Sequence, residues 1–299
     1  MFALATDAGI LVVTQDGETA ESGLENSKVR SVAPVGDRIA VAADGVGVLI
    51  GSGDSWEEAG LDGQTIWTLT SLGNLLFAGL EPAAILRREP SGTWTELTAL
   101  SLVDGYGEWH SPWGPPDLCS IVAEPGRLIV GVEVGGVAGS LDDGLNWKAV
   151  NNGLFEDVHA VAAAGETLFA ATGGGLHCSR DSGENWTWEA DGIDRGYTQG
   201  LAITEGHVLV SSASGPPPMW EAGGPEAAIF RASLRSEALA FEKVSEGFEG
   251  NIGRQGFAAS GDLVVAGTSA GEFLVSTDSG KSFATVASAL PAINAVAIL

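Results

Sequence analysis

Glu81 and Glu133 are the residues of this sequence whose type and placement best suit proton transfer. Each stands just past a short apolar run, at a turn that does not need a glutamate. A pair of carboxyl groups roughly 5–10 Å apart, one protonated and one ionised, is what glycoside cleavage requires. His110 and His159 can assist proton transfer beside them. The same two histidines, with a carboxylate, are the candidate ligands for a divalent transition metal, while carboxylates alone suit calcium. No H-E-x-x-H pair or tight His pair occurs, so the spacing names no metal. The cofactor is left open, with a divalent cation as its candidate. Trp109, Trp113 and Trp220 lie in loops, either as plugs that pin long insertions or as platforms for a sugar ring, planar ligand or cation.

The elements that must hold these residues are repeats. Ser140-Leu-Asp-Asp-Gly-Leu-Asn-Trp147 returns as Ser179-Arg-Asp-Ser-Gly-Glu-Asn-Trp186 and as Ser276-Thr-Asp-Ser-Gly-Lys-Ser-Phe283. In this S-x-D-x-G-x-x-[WF] pattern Asp142, Asp181 and Asp278 accept backbone N–H groups of a tight turn. Gly144, Gly183 and Gly280 supply backbone angles that other residues resist. Ser140, Ser179 and Ser276 add a local bond, and Trp147, Trp186 and Phe283 fill the space between units. Worn copies occur at Gly53-Asp-Ser-Trp56 and Ser91-Gly-Thr-Trp94, and Phe241 keeps the aromatic where the rest is lost.

Each copy sits among short apolar runs, four to a unit, at a period of about 40 residues, the signature of a propeller blade. The first run of each unit aligns Arg30, Trp67, Cys119, His159, Gln199, Gln255 and Asn294 at one position facing a central channel. The residue after the second run is Asp7, Asp44, Glu81, Glu133, Gly173, Ser214 or Ser269. Asp7 and Asp44 are ordinary turn residues. The alignment predicts an acidic mouth at one end of the channel, with Asp117 and Asp157 beside it. Residues 293–299 read as a first strand and the opening residues as a second. The expectation is therefore one all-β domain over 1–299, a seven-bladed β-propeller closed by its C-terminal strand joining the N-terminal blade. Two long Pro- and Trp-rich insertions, 104–117 and 211–228, are placed to carry binding surface.

The pattern resembles the Asp-box (bacterial neuraminidase, BNR) repeat, and the chain is similar to uncharacterised bacterial BNR or glycosyl-hydrolase-like propellers. The likeness rests on the three boxes and on Glu81-Pro-Ala-Ala-Ile85, Glu133-Val-Gly-Gly-Val137, Asp157-Val-His159 and Gly215-Pro-Pro-Pro-Met-Trp220. It implies the propeller but no agreed activity. Sialidases of this likeness would need three arginines, here Arg30, Arg195 and Arg254, and a tyrosine, here Tyr197. The Arg-Ile-Pro segment is absent and an acidic mouth would repel sialic acid, so sialidase activity is disfavoured.

The formal net charge of −25 opposes nucleic-acid phosphates. No apolar run approaches about 18 residues, so no membrane helix is expected, and with no basic-then-apolar leader the expected location is cytoplasmic. Cys119 and Cys178 make no disulfide framework. The first functional reading is a ligand-binding or scaffold module whose mouth takes a small molecule, carbohydrate or protein segment. Its ligand-binding set is Arg30, Trp67, Trp109, His110, Asp117, His159, Tyr197, Gln199, Trp220 and Gln255. The alternative is a glycoside-directed hydrolase or lyase using Glu81 and Glu133 as acid and base. A third is an oligomeric component that works through its surface.

Overall fold

The computed structural model describes residues 1–53, 55–219, 224–236 and 238–299. Among these, short runs rich in Val, Ile, Leu and Ala pair as antiparallel strands because Gly-centred two-residue turns separate them. Seven four-stranded sheets result, arranged in a ring as the blades of a β-propeller.

Blade 1 joins the two ends of the chain. β1 (Phe2–Thr6), β2 (Gly9–Val13) and β3 (Thr19–Gly23) are completed by β28 (Ile293–Ile298), which pairs antiparallel with β1. The predicted ring closure is present, and it covers the edge of β1 that would otherwise be open. Blades 2 to 7 follow in chain order and begin with their innermost strands. These are β4 (Val29–Val35), β8 (Thr65–Leu72), β12 (Leu118–Glu124), β16 (Val158–Ala164), β20 (Tyr197–Ile203) and β24 (Phe257–Ser260). Each inner strand packs on the next, and β28 meets both β24 and β4.

Both faces of a blade are buried, so alternate residues serve different neighbours. In β1, Ala3 and Ala5 pack toward blade 2 with Val29, Val32 and Val41, whereas Phe2 and Leu4 pack toward blade 7 with Val265 and Phe273. The remaining apolar clusters likewise fill the spaces between successive blades. Stability is thus a chain of blade-to-blade interfaces, without one central core.

The three S-x-D-x-G turns fasten these interfaces. Ser179 Oγ donates to Asp181 (2.8 Å) and accepts from Gly183 N (2.8 Å), while Asp181 accepts from the backbone and side chain of Asn185 (both 2.8 Å). These donors hold Asp181 down at about 2. Ser140–Asp142 and Ser276–Asp278 repeat the arrangement. The aromatic then reaches back: Trp186 Nε1 donates to Val150 O (2.7 Å), and Trp94 Nε1 to Ala59 O (2.6 Å), each in the preceding blade. Trp147 instead bonds within its own turn, to Gly144 O at 3.1 Å. No helix of the described residues is long and apolar enough to cross a membrane.

Gly280 shows why the turn admits only glycine. Its φ is +77°, and an added Cβ would stand 2.2 Å from Cδ2 of Leu209, a fully buried side chain of blade 6. Gly45 has a similar φ of +71° with nothing within 4 Å. Gly45→Ala therefore tests backbone strain alone, and Gly280→Ala adds overpacking worth about 1–3 kcal/mol. Denaturant unfolding is expected to show Gly280→Ala as the less stable variant by that margin; equal losses would mean the turn does not press on blade 6.

Candidate functional site

The inner strands do not enter the channel as regular strands. Pairing with the second strand slips between Val29 and Ser31, Ile66 and Thr68, Leu118 and Ser120, and Val158 and Ala160. It slips again between Thr198 and Leu201, and opposite Ala5/Thr6 it skips Asn294. Arg30, Trp67, Cys119, His159, Gln199 and Asn294 are thus the unpaired residues of β-bulges, which re-aim their side chains. The position aligned from sequence is a ring of bulges at one end of the propeller.

A cavity of about 910 Å³ opens there. Glu81, Glu133, Arg30, Trp67, Asp117, Tyr197, Gln199 and Gln255 all line it, so the structure brings together most of the residues singled out from sequence. Asp157, Asn294, Trp113 and Pro216–Pro218 join them. Four of the expected residues, Trp109, His110, His159 and Trp220, have other places or none described. Trp109 is half-buried, packed on the Tyr106 ring (centroids 4.7 Å) and on the core behind it, and so pins the insertion. His110 is exposed, with Nδ1 3.2 Å from Glu108 O, and does not line the cavity. Trp220 lies outside the described residues.

His159 is wholly buried behind the cavity wall. Its Nδ1 is 2.6 Å from Thr198 O, its Nε2 is 3.5 Å from Asp157 Oδ1, and its ring packs on Tyr197 (4.8 Å). His110 and His159 therefore do not converge as ligands. Among the described residues no group of three His, Cys, Asp or Glu is placed to hold a metal ion. Cys119 is also buried, with Sγ against Gly131 O and Val158 O, and burial pushes its thiol pKa up, leaving it neutral.

The residue that organises the site is Arg254, which sequence named only as one of three arginines. It lies in the loop before β24, its side chain 20% exposed. Nη1 donates to Asp117 Oδ1 at 2.9 Å, and Nη2 donates to Glu133 Oε2. The neighbouring Gln255 donates to Trp67 O (2.6 Å) and accepts from Ser31 Oγ (2.5 Å). Arg254 and Gln255 also line a second cavity of about 460 Å³, formed by later residues of the same inner strands. The two side chains therefore stand across the channel between the two cavities and form the floor of the larger one.

The acids of this mouth are largely neutralised from within. Lys28 Nζ is 2.8 Å from Asp7, and Arg30 pairs with Asp44. The Arg30 guanidinium stands over the Trp67 ring at 4.5 Å and that of Arg254 at 5.5 Å. Trp67 Nε1 in turn donates to Glu81 Oε2 at 2.7 Å. The predicted acidic mouth is corrected accordingly: its carboxylates stand among cations that the alignment of acidic positions alone did not count.

Asp117 and Glu133 share a proton. Burial, only partly countered by Arg254, pushes Asp117 up to about 8, and the hydrogen bond to Glu133 and that residue's charge push the same way. Burial also works on Glu133, but the Arg254 charge and the hydrogen bond from Asp117 overcome it and hold Glu133 below the usual range. Near neutral pH Asp117 carries the proton and donates it toward Glu133.

The folded chain thus keeps a proton that an unfolded aspartate releases near pH 3.9. The contribution of Asp117 to stability should therefore fall as pH rises from about 4 to about 8, while His177 and His207, whose pKa values burial lowers, contribute in the opposite sense below about 6.5. Glu133 contributes in the opposite sense, but only below its unfolded value near 4.3, outside this window. Asp117→Asn copies the protonated carboxyl, with an oxygen for Arg254 and an N–H for Glu133. It is expected to flatten the pH dependence between 5 and 8 and to exceed the parent protein in stability at pH 8. Denaturant unfolding across this range measures both; an unchanged slope, or a loss at every pH equal to that of Asp117→Ala, would contradict the shared proton.

No family model matches this sequence, and no curated protein does. The fold is similar to YCF48 from Cyanidioschyzon merolae, with TM-score 0.58 and 17% identity over 87% of this chain and 84% of that one. A structure of YCF48 bound to D1 peptide gives TM-score 0.57 and 16% identity over 95% and 84%. The GH74 xyloglucanase from Xanthomonas campestris gives TM-score 0.58 and 14% identity, covering 95% of this chain but 46% of that chain. At such identities the likeness establishes the propeller fold and nothing finer.

Proposed function

We propose that this chain is a binding module of the Asp-box (BNR) kind whose mouth takes a protein segment. The observation that carries this reading is that the groups suited to chemistry are committed to bracing the channel. Asp117 and Glu133 are hydrogen-bonded to each other and to Arg254. Glu133, one of the two carboxylates read as acid and base, is thereby held by Arg254 and Asp117 rather than left free to act with Glu81. A cavity already walled by Trp113, Tyr197 and a run of prolines suits binding, since proline-rich walls have little order to gain when the guest arrives. That a similar fold is known bound to D1 peptide supports a protein segment over a carbohydrate.

Glycoside cleavage is the second reading, favoured by Glu81 and Glu133 opening into one cavity and by the fold shared with a xyloglucanase. Release of reducing sugar from xyloglucan that is lost in Glu133→Gln would establish it.

Gly114 gives a direct test of the mouth. It lies on the exposed loop over the cavity, and its Cβ would face Glu81 Oε1 at 3.6 Å. Gly114→Trp should fill the cavity while leaving stability within about 0.5 kcal/mol, as for most surface changes. Peptides selected from a random library on the parent protein are expected to bind Gly114→Trp at least about tenfold more weakly. Selected peptides that bind both proteins equally would remove the mouth as the binding site.

A further inference from the structure

The mouth is charge-compensated but not evenly. Each cation of its wall already has a carboxylate: Lys28 has Asp7, Arg30 has Asp44, and Arg254 has Asp117 and Glu133. Among the described residues two carboxylates facing the cavity have no Lys or Arg ion-pair partner. Glu81 accepts only from the indole of Trp67, and Asp157 has only the His159 ring at 3.5 Å. Burial works against the charge on Asp157, but the His159 ring and the field of Arg254 keep its pKa below the usual range, so it is ionised near neutral pH. A buried or half-buried carboxylate without a cation is an incomplete pair, and a guest that supplies the cation completes it.

The remaining wall has the chemistry that accompanies such a cation. Trp67 is already covered by Arg30 and Arg254, but Trp113 also borders the cavity, and aromatic faces attract ammonium and guanidinium groups. Trp113, 75% exposed, lines the cavity together with Pro112 and Pro216–Pro218, and Met219, 60% exposed, follows Pro218 in the chain. Exposed apolar side chains beside a cavity offer contact surface to a guest larger than the cavity. A bare inorganic cation or a free amine would satisfy the carboxylates and leave these side chains in water. The net charge of −25 adds long-range attraction for a basic partner.

Building on the binding-module reading, we propose that the guest is a basic protein segment whose Lys or Arg side chain enters the mouth toward Glu81 and Asp157. Its apolar flanks lie on Trp113 and Met219. The recognition is of the anchor type, in which one long side chain fills a pocket and the neighbouring backbone crosses its edge.

The test uses fluorescence anisotropy with the full chain and three nine-residue peptides of Pro and Leu that differ only in a central Arg, Ala or Glu. The Arg peptide is expected to bind at least about tenfold more tightly than the Ala peptide, and the Glu peptide not at all. Its affinity should weaken as salt rises from 50 to 500 mM. Glu81→Gln with Asp157→Asn should lose about tenfold for the Arg peptide and little for the Ala peptide, with thermal unfolding confirming that the variant folds. If the pair does not fold, Glu81→Gln alone is expected to give a smaller loss of the same sign. Equal binding of the Arg and Ala peptides, or an unaltered double variant, would overturn the proposal. So would n-butylamine displacing the Arg peptide at comparable concentration, which would make the guest a small cation. Library peptides that require an open mouth but carry no Lys or Arg would refute this proposal while leaving the binding module intact. Failure of every peptide to distinguish the parent from Gly114→Trp would remove both.

Discussion

Two consecutive side chains, Arg254 and Gln255, hold the ring across its axis. Among the described residues the apolar clusters between blades each join neighbours, as befits seven interfaces in series. From the loop before β24 in blade 7, Gln255 reaches Ser31 of blade 2 and Trp67 of blade 3, and Arg254 reaches Asp117 and Glu133 at blade 4. A buried ion pair is weak evidence for net stability, because desolvation offsets much of the attraction. Its effect here is geometric. It places a floor between the two cavities of the channel.

The floor determines the electrostatics above it. In a chain with such an excess of carboxylates, a ring of acids at one mouth would repel itself unless cations entered the same space. Lys28, Arg30 and Arg254 do so, three of only fourteen basic residues in the chain. Proton sharing between Asp117 and Glu133 completes the adjustment. Glu81 and Asp157 are what this compensation leaves over, and that remainder gives the pocket its preference.

The fold was legible because its information is local and repeated. Each S-x-D-x-G turn carries its own hydrogen bonds, so three copies suffice to set the blade, and alternation does the rest. The ring of inner-strand positions was legible for the same reason, and the bulges explain why those positions break the apolar pattern. Arg254 was not, because in blade 7 the regular strand begins only at Phe257 and the reaching residues lie in the irregular segment ahead of it. No repeat position marks a residue whose partners are 121 and 137 positions away. His110 and Trp109 misled for the converse reason: residue type and loop placement do not reveal which way an insertion folds. Trp109 turned inward to the core, while Trp113, four residues on, reached the cavity.

The cross-axis brace is tested most directly by a double-mutant cycle on Arg254 and Glu133, with Arg254→Met, Glu133→Gln and the two combined, followed by denaturant unfolding at pH 7. The account predicts a coupling of at least about 1.5 kcal/mol, with the combined variant more stable than Arg254→Met, because the second change removes a carboxylate left without its cation. Additive losses would show that Arg254 does not hold Glu133 across the channel, and the floor of the mouth would fall with it.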